Sequence, residues 1–255
     1  MRRALVGTVW EGIGKIALYG RGAGRGRYRL DYRLDYRFVQ ALPGGGFDFR
    51  AGCGHSLLAC VVADGRRGPV VVRSVTTGDE VLCEPHGDAY TLSFLRSPAA
   101  EGTLPTGRPV DVVGGVPVTV VRYGNPYVFV DAARLPAGDL ERRLAALREE
   151  AARMLGYDPR SALPKVAVIT VGPGGMAVRA LTVGGWHPGL AVTGAAALAA
   201  AGALEGTVVP AGGGVVRTPG GTVTVSAAHD RVSVHGKRAE VLECVEVPWR
   251  IHATA

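Results

Sequence analysis

Pro164-Lys165-Val166-Ala167-Val168, followed by Ala177-Val178-Arg179-Ala180-Leu181, the pair Gly184-Gly185 and then Trp186-His187-Pro188-Gly189, repeats an order the chain has used before. Gly14-Lys15-Ile16-Ala17-Leu18 leads through Phe38-Val39-Gln40-Ala41-Leu42 and a glycine run to Gly52-Cys53-Gly54-His55-Ser56. In both copies a lysine-led strand precedes a second strand, glycines, a helix start and an apolar helix that ends at glycine. Short Val/Ala/Leu runs bounded by glycine read as strands, and a longer apolar run of helix formers reads as a buried helix. Two copies of one unit would set two helix N-termini around a shared cleft, where unpaired N–H groups and helix dipoles favour anionic groups.

Cys53 stands where the first of these helices starts, ahead of the apolar run Leu57–Ala63 and its stop at Asp64-Gly65. A thiol there feels the positive end of the macrodipole, which favours its thiolate and makes it a candidate acid/base group facing a carboxylate. A small apolar residue packed at a helix start is the equally plain alternative. The second helix of the repeat follows Pro188, with Leu190–Leu204 read as buried. A third, charged and amphipathic, spans about Asp139–Leu155, with Asp139 as N-cap and Gly156 as stop. Strands are expected at Val70–Thr76, Val110–Tyr123, Tyr127–Asp131, Lys165–Val171, Val178–Val183, Val215–Arg217 and Thr222–Ala227. Many strands with few helices indicate an α+β fold.

From Tyr28 to Phe38 the chain alternates strictly, with Tyr28, Leu30, Tyr32, Leu34, Tyr36 and Phe38 on one side and Arg29, Asp31, Arg33, Asp35 and Arg37 on the other. This is the pattern of a half-buried strand with a solvated, mixed-charge outer face. It argues against a nucleic-acid surface despite the net charge of +7, and Arg21–Arg27 then reads as a flexible loop. Excess positive charge suits an anionic small molecule.

With 255 residues, 47% hydrophobic and 20% charged, the chain is globular and long enough for two modest cores. No apolar run reaches the roughly 18 residues of a membrane span, and Met1–Gly7 has two positive charges but no sustained apolar region behind them. A cytoplasmic protein without a membrane or nucleic-acid partner is expected, with a homodimer left open. Cys53, Cys60, Cys83 and Cys244 have neither disulfide-framework density nor C-x-x-C spacing, so no metal and no cofactor are expected. Cys60, Cys83 and Cys244 read as core residues.

Leu104-Pro105-Thr106-Gly107, Gly124-Asn125-Pro126-Tyr127-Val128-Phe129-Val130, Leu163-Pro164-Lys165-Val166-Ala167, and Val178–Leu181 through His187 to Ala191-Val192-Thr193-Gly194-Ala195 resemble successive segments of the PrpF family. That family comprises 2-methylaconitate isomerases and 4-oxalomesaconate tautomerases within the diaminopimelate epimerase-like superfamily. The resemblance covers roughly Lys15 to the C-terminus. It implies two pseudo-symmetric domains, each a β-barrel around a central helix, with the active site between them. The halves would be 1–112, completed by a C-terminal strand at 244–255, and 113–243.

By the same resemblance Lys15 matches the family's active-site lysine, Cys53 its cysteine, and Gly124-Asn125-Pro126 its Gly-Asn-Pro. The implied chemistry is a cofactor-independent allylic double-bond shift in a small unsaturated carboxylic acid, of the kind used in specialised biosynthesis. Lys15 and Cys53 would exchange the protons, while Gly54, His55, Ser56, Asn125, His187 and Gly189 contact the substrate. A lysine serves as base only where burial or nearby positive charge lowers its pKa. Without the family match Lys15 reads equally as a solvated strand-end lysine, His187 as a capped or surface histidine, and Lys165 as a structural echo of Lys15. Typical members carry a longer N-terminal region with a Met-Arg-Gly-Gly-Thr-Ser-Lys segment, for which this chain has no counterpart. Thr218-Pro219-Gly220-Gly221 replaces a family His-Pro-Ser-Gly pattern, so a smaller or differently charged acid than a tricarboxylate is expected.

Cys53-Gly54-His55 is also similar to the first cysteine motif of proline racemases. His187-Pro188-Gly189 at the matching second position disfavours a two-thiol epimerase. A racemase or epimerase, an isomerase like those of phenazine pathways, and a non-catalytic small-anion-binding accessory protein are the alternatives.

Overall fold

The computed structural model describes residues 13–22, 33–42, 46–182, 184–246 and 251. The chain opens with strands β1 (Lys15–Arg21), β2 (Arg33–Ala41) and β3 (Phe47–Asp48), helix α1 (Gly54–Asp64), and strands β4 (Val70–Ser74), β5 (Glu80–His86) and β6 (Ala89–Phe94). A middle segment follows: β7 (Asp111–Val113), β8 (Val116–Tyr123), β9 (Asn125–Asp131), a single 3₁₀ turn at Ala132–Arg134 and helix α2 (Leu140–Met154). The last segment holds β10 (Lys165–Gly172), β11 (Gly175–Thr182), β12 (Gly185–Trp186), helix α3 (Val192–Gly202), β13 (Gly214–Thr218), β14 (Gly221–Ala227) and β15 (Val232–Lys237).

Strand pairing makes the repeat concrete. β2 is antiparallel to β1 and to the short β3, then parallel to β4, which continues antiparallel into β5 and β6. β11 is antiparallel to β10 and to the short β12, then parallel to β13, which continues antiparallel into β14 and β15. In each segment the helix is the crossover that a parallel pair requires. β15 pairs with β6, and β9 runs parallel to β10, so the order β1-β2-β4-β5-β6-β15-β14-β13-β11-β10-β9-β8-β7 is continuous.

Each helix sits where the apolar strand faces meet. All of α3 is buried, from Val192 to Gly202, against β8, β9, β14 and β15. Alanine and glycine dominate it because its neighbours approach closely: a Cβ on Gly202 would lie 2.9 Å from the Pro210 carbonyl oxygen in the loop that follows the helix, and one on Gly194 2.7 Å from Tyr127. α1 buries Leu57, Leu58, Cys60 and Val61 against β1, β2 and β4, and Gly65 closes it at φ 73°. α2 buries Leu144, Leu147 and Ala151 in a second core with Val118, Val128 and Val166. The Asp139 side chain accepts from the Arg142 N–H and caps α2 as the sequence predicts.

Four expectations are corrected by these elements. Val110–Tyr123 is a hairpin rather than one strand, because Gly114 and Gly115 take φ of 56° and 76°, the turn that joins β7 to β8. The charged face of Arg33–Phe38 is not solvated: Asp35 is fully buried and bound by Arg73 across the β2/β4 pair at 2.9 and 3.0 Å. β2 is flanked on both sides, by β1 and β4, so its charges must neutralise one another in place of water. Residues 28–32 and 23–27 lie outside the described residues. Cys244 is exposed and outside any strand, since residues 241–246 carry no regular structure; 247–250 and 252–255 lie outside the described residues. The second repeat helix starts at Val192 with Ala191 as its N-cap, so His187 lies upstream of the helix start rather than at it. The expected boundary between residues 112 and 113 falls inside β7. Among the described residues no helix is long and apolar enough to cross a membrane.

Candidate functional site

The two helix starts touch. A Cβ on Gly54 would lie 2.4 Å from Cβ and 2.5 Å from Cγ1 of Val192, so a side chain at either first helical residue leaves room only for glycine at the other. Asn125 locks this junction. Its Oδ1 accepts from the Gly52 N–H at 2.7 Å, and its Nδ2 donates to the Gly52 carbonyl at 2.8 Å and to Thr193 Oγ1 at 3.3 Å. The buried Tyr36 hydroxyl donates to the Cys53 carbonyl at 2.9 Å. Cys53 thus becomes the N-cap of α1 with extended backbone, and neither α1 nor α3 has a side-chain cap or an acidic residue in its first turn. In α1, where His55 and Ser56 are not buried, the first-turn N–H groups are placed to meet an anion.

One side of Cys53 borders a small cavity. A cavity of about 20 Å³ behind it, walled by Tyr36, Leu57, Phe94 and Thr193, has room for a single water. The open side gathers positive charge. The 29 basic residues of the chain include only three lysines, Lys15, Lys165 and Lys237, and all three stand around this junction. Burial pushes the Lys165 ammonium below its ordinary value, opposed by Cys53 and reinforced by the charge of Lys15. Burial likewise lowers Lys237. His55 is lowered by partial desolvation and then by Lys237, His187 and Lys15; His187 by burial and then by Lys165 and Lys15. Among the described residues none of the three lysines makes an ion pair, although lysines at a protein surface usually lie near carboxylates. A cationic cleft beside a thiol can hold and polarise a carboxylate and carry protons at two points. Among the described residues no group of three His, Cys, Asp or Glu side chains could hold a metal ion.

Local structure explains each position. Lys15 and Lys165 open the equivalent strands β1 and β10. Lys15 pairs with Gln40, and Gln40 with Asp48 of β3; Lys165 stands at the matching end of β10, one step before the Val166–Leu181 pair. Lys237 ends β15 just past a bulge, where the pairing to β6 slips between Val234 and Lys237 and Gly236 takes φ 65°. A bulge re-aims the side chain that follows it. The His187 Nδ1 accepts from the Gly189 N–H at 3.1 Å, which leaves Nε2 to carry the proton of the neutral ring.

Of the residues singled out from the sequence, the structure brings Lys15, Cys53, His55 and His187 together. Ser56 lies in the first turn of α1. Gly54 is buried against Val192 and offers only its N–H, Asn125 uses its whole amide to hold Gly52 and Thr193, and Gly189 acts on His187. Lys165, expected as a structural echo of Lys15, also stands beside Cys53 and Lys15, and Lys237, Tyr36 and Thr193 at this junction were not singled out from the sequence. The signal for the lysines was their scarcity, in a chain that otherwise uses arginine for positive charge: arginine cannot give up its proton in a protein, and lysine can.

No family model matches the sequence, and no curated protein matches it. Solved structures do match in fold. A methylitaconate-delta-isomerase is 19% identical with a TM-score of 0.62, over 93% of this chain and 84% of that one. A hydroxyproline epimerase from Agrobacterium vitis, with bound trans-4-OH-L-proline, is 16% identical with a TM-score of 0.52, over 88% and 72%. A probable proline racemase from Agrobacterium radiobacter K84, with bound carbonate, is 16% identical with a TM-score of 0.51, over 95% and 80%. At such identities the likeness speaks for the fold. The chain has the α+β fold of these proteins.

Proposed function

We propose that this protein is a cofactor-independent isomerase that shifts a double bond in a small unsaturated carboxylic acid. The observation that carries the reading is the convergence of every lysine of the chain, two histidines and Cys53 on two helix starts that have no side-chain cap. The substrate carboxylate is held by first-turn N–H groups of α1, with His55 and Lys237 on one side and His187 on the other. A cleft lysine removes a proton from the allylic carbon, and the electron pair of that C–H bond passes into a dienolate stabilised by the surrounding positive charge. The Cys53 thiol delivers a proton to the far end of the allyl unit, and the ammonium then returns its proton to the thiolate. We further take β1–β6 with α1, and β8–β15 with α3, as two pseudo-symmetric halves with the cleft between them.

A two-thiol racemase needs a second cysteine opposite the first. Ala191 holds the N-cap of α3, equivalent to Cys53 of α1, so the chain offers no such thiol there. The test is deuterium incorporation from D₂O into methylitaconate and a panel of unsaturated mono- and dicarboxylic acids, followed by proton NMR. Allylic exchange with double-bond migration, lost in Cys53→Ala, supports the isomerase. Binding of these acids without exchange of any of them overturns it in favour of an anion-binding accessory protein.

A further inference from the structure

We infer that Lys165, rather than its counterpart Lys15, is the amine that takes the allylic proton opposite Cys53, and that Lys15 is the neighbouring cationic group that conditions it. The inference rests on the isomerase reading for its chemistry and on strand register for its geometry. Lys165 pairs with Tyr127 across the parallel β9/β10 ladder. Paired residues in a ladder project to the same face, and residues two apart along a strand share that face. Tyr127 turns toward the start of α3, where a Cβ on Gly194 would lie 2.7 Å from its ring and hydroxyl. Asn125, two residues earlier, reaches Gly52 and Thr193 from the same face. Lys165 is therefore aimed at the junction of the two helix starts, on the edge of the first core, with Ala167, Tyr127 and Phe129 on its own face.

Lys15 is placed differently. It is exposed, at the start of β1, which pairs on one side only, with β2. The charged and titratable groups that face Lys165 are Cys53 from the start of α1, Lys15 from β1, His187 from the turn after β12 and, on β9, the Tyr127 phenol, which burial keeps neutral. Of these only Cys53 can carry negative charge. Enclosure and the Lys15 charge both oppose the ammonium form, which is what a base working near neutral pH needs. The step balances within the site: the allylic C–H bond breaks, Lys165 gains the proton and becomes ammonium, and the Cys53 S–H bond breaks to form the new C–H bond. Proton return from the Lys165 ammonium to the Cys53 thiolate closes the cycle.

Because the chain holds three lysines, each can be followed by itself. Competitive acylation with acetic anhydride over a pH series, resolved by peptide mass spectrometry, reads the titration midpoint of each amine without any substrate. The expected midpoint of Lys165 lies below the ordinary lysine value and rises in Lys15→Met. A midpoint at the ordinary value, or one that ignores Lys15→Met, overturns the inference. In the deuterium-exchange assay, Lys165→Met and Lys165→Arg each lose about 10²–10⁴-fold in rate. The arginine variant preserves charge and removes only the capacity to deprotonate. Lys15→Met lowers exchange at neutral pH and moves its pH optimum upward. Exchange that survives in both Lys165 variants and vanishes in Lys15→Met assigns the base to Lys15 instead. If wild type exchanges no acid, the isomerase reading fails, and the acylation midpoint alone decides whether Lys165 is the conditioned amine.

Discussion

Gly54→Ala tests whether the two helix starts are locked together. The new Cβ would lie 2.4, 2.5 and 3.2 Å from Cβ, Cγ1 and Cγ2 of Val192. Relaxed carbon contacts are about 3.5–4.0 Å, so the helix starts must part by roughly 1 Å. Val192 cannot turn away, because it is fully buried and a β-branched side chain in a helix has one strongly preferred rotamer. Neither can the Gly52 loop retreat without losing the Asn125 hydrogen bonds at 2.7 and 2.8 Å. Overpacking of this kind costs about 1–3 kcal/mol, which exceeds the up to about 1 kcal/mol gained by removing a helical glycine. For a chain of this size each kcal/mol lowers Tm by about 2–4 °C. Thermal unfolding followed by circular dichroism should therefore show a fall of several degrees. The double variant Gly54→Ala with Val192→Gly removes the clashing Cβ, so it should be less destabilised than the sum of its single changes. A Tm equal to or above wild type for Gly54→Ala, or strict additivity in the double variant, would refute the reasoning.

Three other outcomes follow from the site. Asn125→Ala leaves the Gly52 N–H and carbonyl without their partner and should cost about 2–4 kcal/mol, read as a lowered midpoint in urea; a change under about 0.5 kcal/mol would count against its locking role. His55 and His187 have folded pKa values below the ordinary 6.5, so as pH falls below about 6.5 the unfolded chain binds protons that the folded cleft refuses. Stability contributed by these rings is thus present above that pH and lost toward their lower folded values, and the Tm of a His55→Gln, His187→Gln variant should decline less than wild type between pH 7 and about 5. Burial pushes Cys60 up to about 12 and raises Cys83 further, whereas Cys53 is partly exposed and Cys244 exposed. Iodoacetamide on the native protein should modify Cys53 and Cys244 and spare the other two; peptide mapping that finds Cys60 or Cys83 modified first would contradict the described core.

Much of the fold was legible in short runs of the chain. β10, β11, β13 and β14 match the expected strands within a few residues at each end, because each is an apolar run bounded by glycine. α2 was legible from Asp139 and its charged surface, and α3 from alanine content. β5, β6 and β15 were not: Glu84-Pro85-His86, Tyr90-Thr91 and His235-Gly236-Lys237 interrupt the apolar pattern, and their pairing to one another is what makes them strands. The charged stripe of β2 was legible as a strand but not as buried, since burial of Asp35 depends on β4 arriving with Arg73 at the right register.

The sequence by itself determined that a lysine-led strand unit occurs twice, that a cysteine stands at one helix start and not at the other, and that positive charge is in excess. These are local properties, written in spacing and residue type. Only the tertiary structure decided which lysines stand beside Cys53 and the two histidines. Lys15 and Lys165 lead the two copies of the repeat, but all three lysines are far apart along the chain, and nothing local sets Lys237 beside them. The β6/β15 pair closes the two segments on each other, the β9/β10 register turns Lys165 toward Cys53, and a bulge in β15 redirects Lys237. Desolvation and mutual repulsion exist only where such long-range pairings bring charges together, so the conditioning of the cleft lysines belongs to the fold and not to any stretch of sequence.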